Sequence, residues 1–215
     1  MFITKTLTAI TVAFALLSHP VVSLASQHGR QADSEVVSSV DGLSAIEAEN
    51  LTFMREEEKL ARDVYLTMYE AWGLNIFSNI AASEQTHTDA VAEMLEKYNL
   101  SDPVVDDRAG IFINQELANL YDTLLARGYL SSLDALRVGA LIEEVDMVDL
   151  KRAIEETDKE DIRVLYENLL SGSRNHLRAF VGLIEDQGII YEAQFLTQEE
   201  VDAIVDSPIE RGSKH

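Results

Sequence analysis

The stretch LTFMREEEKLARDVYLTMYEAW, residues 51–72, decides the fold. Leu51, Met54, Ala61, Tyr65, Met68 and Trp72 recur at three- and four-residue steps, the period of one face of an α-helix, and Gly73 follows as a stop. The reading is a first long helix of about six turns. Its apolar stripe is broken by Glu56-Glu57-Glu58, with Glu58 in line with Met54, Ala61 and Tyr65. A carboxylate on a face that packs into a core is costly unless it is paired or bound to a metal.

Working outward, Ile76, Ile80, Val91, Met94, Leu95 and Tyr98 support a second helix, stopped by Asn99 and Ser101-Asp102-Pro103. The link Gly73 to Asn75 is short, so the two helices are antiparallel neighbours. A long irregular stretch, Leu100 to Ile113, leads to a short helix from an Asn114 cap to Gly128. Ser131 with Asp134 opens a third long helix running to about Glu156, and Thr157 with Glu160 has the spacing of a capping box for a fourth, through Leu165, Leu169, His176 and Phe180 to Gly188. Thr197 with Glu200 caps a short terminal helix. The expected fold is all-α: two antiparallel helix pairs joined by a long crossover that carries a short extra helix, which is the ferritin-like arrangement of a four-helix bundle, plus a short C-terminal helix.

The second helix carries Ser83-Glu84-Gln85-Thr86-His87. Glu and His three apart share a helix face, so their carboxylate and imidazole can converge on one cation. By itself the spacing is commonplace. It gains weight because the second pair of helices repeats it: Glu143-Glu144 interrupts the stripe of Ala140, Met147, Leu150 and Ile154, aligning with Glu57-Glu58 at an offset of 86, and Gly172 to His176 aligns with Ser83 to His87 at an offset of 89. Two half-sites in a duplicated bundle predict a metal centre in the core.

Composition narrows the donors. The chain has 215 residues, 17 Lys plus Arg against 38 Asp plus Glu, and a net charge of −21, which disfavours nucleic acid and anionic lipid as partners and favours cations. With no Cys, any metal must be held by carboxylate, imidazole or carbonyl. At the N-terminus, Lys5, the apolar run Leu7 to Leu17 and Ser23-Leu24-Ala25 read as a secretory signal over 1–25, cleaved near Ala25. That predicts a periplasmic or secreted protein in a bacterium, with no membrane span after cleavage. Residues 26–48 read as a flexible spacer, 49–206 as the folded domain and 207–215 as a polar tail; His19, His28 and His215 lie outside that domain and are set aside as ligands.

Glu58-x-x-Ala61-Arg62-x-x-Tyr65 followed by Glu84-x-x-His87 resembles the first half of rubrerythrin and other ferritin-like di-iron carboxylate proteins. More closely, residues 51 to about 206 resemble an uncharacterised prokaryotic family of ferritin-like proteins, the domain of unknown function 2202. Its motifs here are Met54 to Tyr65, Gly139 to Asp146 and Gly172 to Leu177. The resemblance implies a ferritin-like fold and iron binding, with di-iron as the full form and manganese as the alternative metal, and it supplies no substrate. Glu58, Glu84 and His87 make one expected half-site, Glu144 and His176 the other, with Glu57 and Glu143 as alternative ligands. Tyr65, Ser173 and Arg62 stand beside them as hydrogen-bonding or pairing groups. The chain departs from the ferritin-like pattern at Ser173, where the fourth helix would carry the Glu of a second Glu-x-x-His. Three carboxylates against two divalent ions leave a deficit of one charge, so the centre is expected either to hold one metal or to recruit another acid or a hydroxide.

The leading functional expectation is iron oxidation or other chemistry with O₂ or peroxide, oligomerisation being left open. The second is a metal-binding or protein-interaction bundle without turnover. The third is a metal-free bundle whose core acids pair with Arg62 and Arg174.

Overall fold

The computed structural model describes residues 42–210, and within them the chain is all-α. Six helices follow one another: α1 (Ala45–Trp72), α2 (Asn75–Lys97), α3 (Gln115–Gly128), α4 (Ser132–Glu156), α5 (Glu160–Glu185) and α6 (Gln198–Val205). The expected leader, most of the expected spacer, His19, His28 and His215 fall outside the described residues.

The four long helices close a ring. α1 packs along α2 and α4 along α5, and α1 also meets α4 and α2 meets α5, while across the α1–α5 diagonal the rings of Tyr65 and Phe180 meet at 5.3 Å. Gly73 and Leu74 alone join α1 to α2, so that pair is antiparallel. Gly73 sits at φ 66, and its N–H donates to the Tyr69 carbonyl at 2.8 Å, the left-handed cap that only glycine adopts without strain. Leu51, Met54, Tyr65, Phe77, Leu150 and Phe180 are wholly or almost wholly buried inside the ring. α3 rests against α1 and α4, and α6 against α5.

Two helix starts differ from the sequence reading. α1 begins at Ala45, inside the stretch read as spacer, because Ser44 and Glu47 form a capping box there: Ser44 Oγ accepts from the Glu47 N–H and the Glu47 carboxylate accepts from the Ser44 N–H. The same carboxylate accepts from Thr157 Oγ at 2.7 Å and from the Asp158 N–H at 3.1 Å. Thr157 Oγ also accepts from the Lys159 N–H at 3.1 Å instead of from the first turn of α5, and Lys159 stands at the N-cap of α5 with no side-chain cap bond. Glu47 thus ties the start of α1 to the α4–α5 turn.

The charges of α1 hold the crossover between α2 and α3. Glu56 accepts from the backbone N–H groups of Ile113 and Asn114, at 2.5 and 2.9 Å, and Asp63 accepts from the Gly110 N–H at 3.1 Å. Lys59, with no exposed surface, donates to Asp63 and to the Arg108 carbonyl, and its ammonium lies 4.5 Å from the centre of the Phe112 ring. Arg55 reaches Asp102 and Thr88, and Arg62 reaches Asp63, Asp107 and Gln85. Gly110 has to be glycine: its φ is 78, and a Cβ there would stand 2.8 Å from the Tyr121 ring.

After α5 the chain returns across α4 as a strap. Glu144, fully buried, collects it by accepting from Tyr191 Oη and from the backbone N–H groups of Gln194, Phe195 and Leu196. Residues 207–210, the start of the stretch read as a polar tail, lie against α5, where Glu210 pairs with both Arg174 and Arg178.

Glu47→Ala leaves donors from Ser44, Thr157 and Asp158 without an acceptor in a largely buried position. The expected loss is about 2 kcal/mol of stability, read by urea denaturation at neutral pH, and a loss below about 0.5 kcal/mol would contradict this account of the joint.

Candidate metal centre

One buried carboxylate sits at the middle of the ring. Glu84, on α2, has Oε2 at 2.8 Å from His87 Nδ1 and Oε1 at 2.8 Å from His176 Nδ1 on α5. Its two oxygens therefore face two different imidazoles. Around them stand Glu58 of α1, with Oε2 3.3 Å from His87 Nδ1, and Glu143 of α4, with Oε2 3.5 Å from His176 Nδ1. Every long helix contributes, and the donors fall into two compact groups that share Glu84. Glu58, Glu84 and His87 make one, Glu84, Glu143 and His176 the other, with the donor atoms of each within 4.8 Å of one another.

The donors converge without saturating each other. Glu58 Oε1, Glu84 Oε1 and His176 Nδ1 are buried and have no hydrogen-bond partner, although the last two are 2.8 Å apart. Their separation is that of a hydrogen bond but their directions are not, as expected of two donors aimed at a common third point.

The rings are set by their outer edges. His176 Nε2 is 3.0 Å from Ser83 Oγ, which leaves Nδ1 for the centre. The corresponding edge of His87 rests on Gly172, where a Cβ would come within 2.7 Å of Nε2. Ser83 and Gly172 hold matching positions in the repeat, each packed against the histidine of the other half. The two rings stack at 5.5 Å.

Without metal the cluster is held by protons. Burial opposes charge on both imidazoles, but Glu58 and Glu84 push His87 up to about 11, and Glu84 and Glu143 push His176 up to about 10. Burial works against an ionised Glu84 as well, yet the two imidazolium groups hold its carboxyl far below the ordinary range. Burial raises Glu58 to about 7 against the pull of His87, and raises Glu143.

Of the expected ligands, Glu58, Glu84, His87 and His176 meet here. Glu144 does not: its carboxylate is occupied by the strap, and its neighbour Glu143 takes the place beside His176. Glu57 is in neither donor group: its Oε2 is buried with no hydrogen-bond partner, and burial with the charges of Asp149, Asp146 and Glu58 holds its carboxyl well above the ordinary range. Tyr65 donates to Glu143 Oε1 at 2.5 Å. Ser173 donates to Asp146 Oδ2 at 2.5 Å. Arg62 faces the crossover and Arg174 faces Glu210, so the expectation that these arginines neutralise the core acids fails. Among the described residues, the ion pairs of Glu58, Glu84 and Glu143 are with histidine alone.

Asp146 was missed by the sequence reading. It is buried, Oδ1 has no partner, and burial together with the charges of Glu58, Glu143 and Glu84 holds its carboxyl well above the ordinary range. The available signal was its spacing, three residues after Glu143 on the same face of α4.

A chain of the archaeon Methanocaldococcus jannaschii described as uncharacterized protein MJ0754 is 54% identical over 170 residues, 79% of this chain and 92% of that one. The crystal structure described as hypothetical protein MJ0754 from Methanococcus jannaschii is similar with a TM-score of 0.77 at 49% identity, covering 86% of this chain and 100% of that chain. Residues 47–208 match the family described as an uncharacterized protein domain, DUF2202, and the chain belongs to that family.

Proposed function

We propose that this protein is an exported, ferritin-like metal-binding protein whose core centre holds iron and acts in iron oxidation or in chemistry with O₂ or peroxide. The observation that carries the reading is Glu84, whose two oxygens face two imidazoles in two donor groups. A bridging carboxylate flanked by one histidine and one further acid on each side is a donor set for hard or borderline divalent ions such as iron or manganese. The ring of two antiparallel pairs, with Glu58, Glu84 and His87 on one and Glu143 and His176 on the other, supports the ferritin-like assignment.

Iron held at such a centre supplies one-electron chemistry toward O₂ or peroxide. The chain's own contribution is to hold the donors and exclude water. Glu58, Glu84 and Glu143 are at most 2% exposed. Tyr65, which burial and the charge of Glu143 keep protonated far above its ordinary range, fixes Glu143 as a donor through its hydroxyl. The imidazoles carry the protons that an entering cation must displace.

Loading with Fe²⁺ followed by desalting and elemental analysis should give one to two equivalents in the wild type and less than about a tenth in Glu84→Ala and His176→Ala. A wild type below a tenth of an equivalent would sink the metal reading, and loading with no O₂- or peroxide-dependent absorbance change would sink the redox part.

Since His87 and His176 keep their protons up to about 11 and about 10, both are protonated at neutral pH and must lose them when a metal binds. Apparent affinity should therefore rise with pH, by up to about a hundredfold per unit for two protons displaced, with proton release visible to an indicator dye in weak buffer. An affinity unchanged between about pH 6 and 8 would exclude these imidazoles as the ligands. For export, N-terminal sequencing of the protein from its native host should begin at Ser26, and an intact Met1 would refute processing.

A further inference from the structure

We propose that Asp146 is the fourth carboxylate of the centre, supplied by α4 in place of the acid that α5 lacks at Ser173, and that the centre is thereby built for two ions. The inference rests on the metal reading above and goes beyond its ligand set.

The first argument is register. When the halves are matched by the residues that the structure makes equivalent, His87 with His176 and Glu58 with Glu143, Glu84 falls opposite Ser173 and Ala61 falls opposite Asp146. Each half then holds one further acid. In the first half it stands on the second helix, as Glu84, and the matching position on α1 is Ala61. In the second half it stands on the first helix, as Asp146, and the matching position on α5 is Ser173. The carboxylate has changed helices, and a small residue has taken the place it left.

The second argument is hydrogen bonding. Ser173 Oγ donates to Asp146 Oδ2, while Asp146 Oδ1 is buried with no partner at all. A buried carboxylate oxygen left bare is costly, and native interiors keep one chiefly where a proton, water or ion completes it. Among the described residues no basic side chain pairs with Asp146.

The third argument is charge. Glu58, Glu84 and Glu143 carry three negative charges against the four positive charges of two divalent ions, and Asp146 makes the set neutral. Asp146 is not among the five residues whose donor atoms stand within 4.8 Å of one another in two groups, so its free oxygen would have to close on the ion for the set to be complete. Ser173 is a positioning residue, holding one oxygen of Asp146 and leaving the other free.

The test is metal stoichiometry. Wild type, Asp146→Asn and the double variant Asp146→Ala/Ser173→Glu are loaded with Mn²⁺ without oxygen, desalted, and measured by elemental analysis and by electron paramagnetic resonance for a spin-coupled pair, with circular dichroism melting as the check on folding. The expected result is two equivalents and a coupled signal in the wild type, one equivalent and an uncoupled signal in Asp146→Asn, and two again in the double variant, where the acid is returned to α5. Two equivalents in Asp146→Asn, or one in the wild type, would overturn the proposal while leaving the metal reading intact. Binding of less than a tenth of an equivalent by the wild type would overturn the metal reading instead. Should Asp146→Asn fail to fold, the double variant decides: recovery of two equivalents supports the exchange, and one equivalent refutes it.

Discussion

Everything in the interior is arranged around Glu84, an ionised carboxylate in a place where water does not reach. Isolated, such a charge would be driven to take up a proton or to turn outward. Two imidazoles keep it ionised, and its charge together with Glu58 and Glu143 keeps their protons in place. The four helices are thus linked by one electrostatic unit as well as by apolar packing. Glu58 comes from α1, Glu84 and His87 from α2, Glu143 from α4 and His176 from α5, so a shift of one helix by a turn would leave a charge without its counterpart. Breaking one member of a buried charged set is far more disruptive than breaking a surface pair.

The remaining buried charges do a different job, and separating the two explains the long charged run on α1. Arg55, Glu56, Lys59, Arg62 and Asp63 are all buried, yet none of them forms an ion pair with a donor of the centre. They bind the backbone and side chains of the crossover, a segment with little regular structure of its own whose N–H and carbonyl groups need partners once covered. Glu144 does the same for the strap after α5. Acids one or two residues apart on one helix therefore have unrelated roles: Glu56 holds a loop while Glu58 faces His87, and Glu144 holds a loop while Glu143 faces His176.

That adjacency is why the centre was only partly legible in the sequence. Period and cap residues were enough to place the long helices, and the Glu84 to His87 spacing with its echo at His176 was enough to place two histidines in one core. Choosing between Glu143 and Glu144 was beyond that reasoning. Neighbours on a helix are about 100° apart and both interrupt the same stripe, so the choice depends on which carboxylate the strap claims, a contact with residues some fifty positions away. Aligning Glu58 with Glu144 also hid Asp146, because the halves match one residue out of that register. The early start of α1 and the loss of Thr157 as a cap have one cause, Glu47 reaching across to the α4–α5 turn. Local signals name residues able to cap, and tertiary contacts decide which of them do.

The same offset makes the two halves of the centre chemically unequal. Tyr65 supports Glu143 through a hydroxyl bond, and its counterpart in the matched register is Leu150, an apolar residue with nothing to give Glu58. Ser83 supports the outer nitrogen of His176, and its counterpart Gly172 offers His87 only room. A carboxylate that already accepts a short hydrogen bond is a weaker electron donor to a cation, whereas an imidazole whose far nitrogen donates to an oxygen is a stronger one. Glu143 and His176 are thus tuned in opposite senses, while Glu58 and His87 are left with each other and Glu84. Two ions bound as proposed would therefore meet unequal donor sets, and the inequality is set by Tyr65 and Ser83, which lie outside both donor groups.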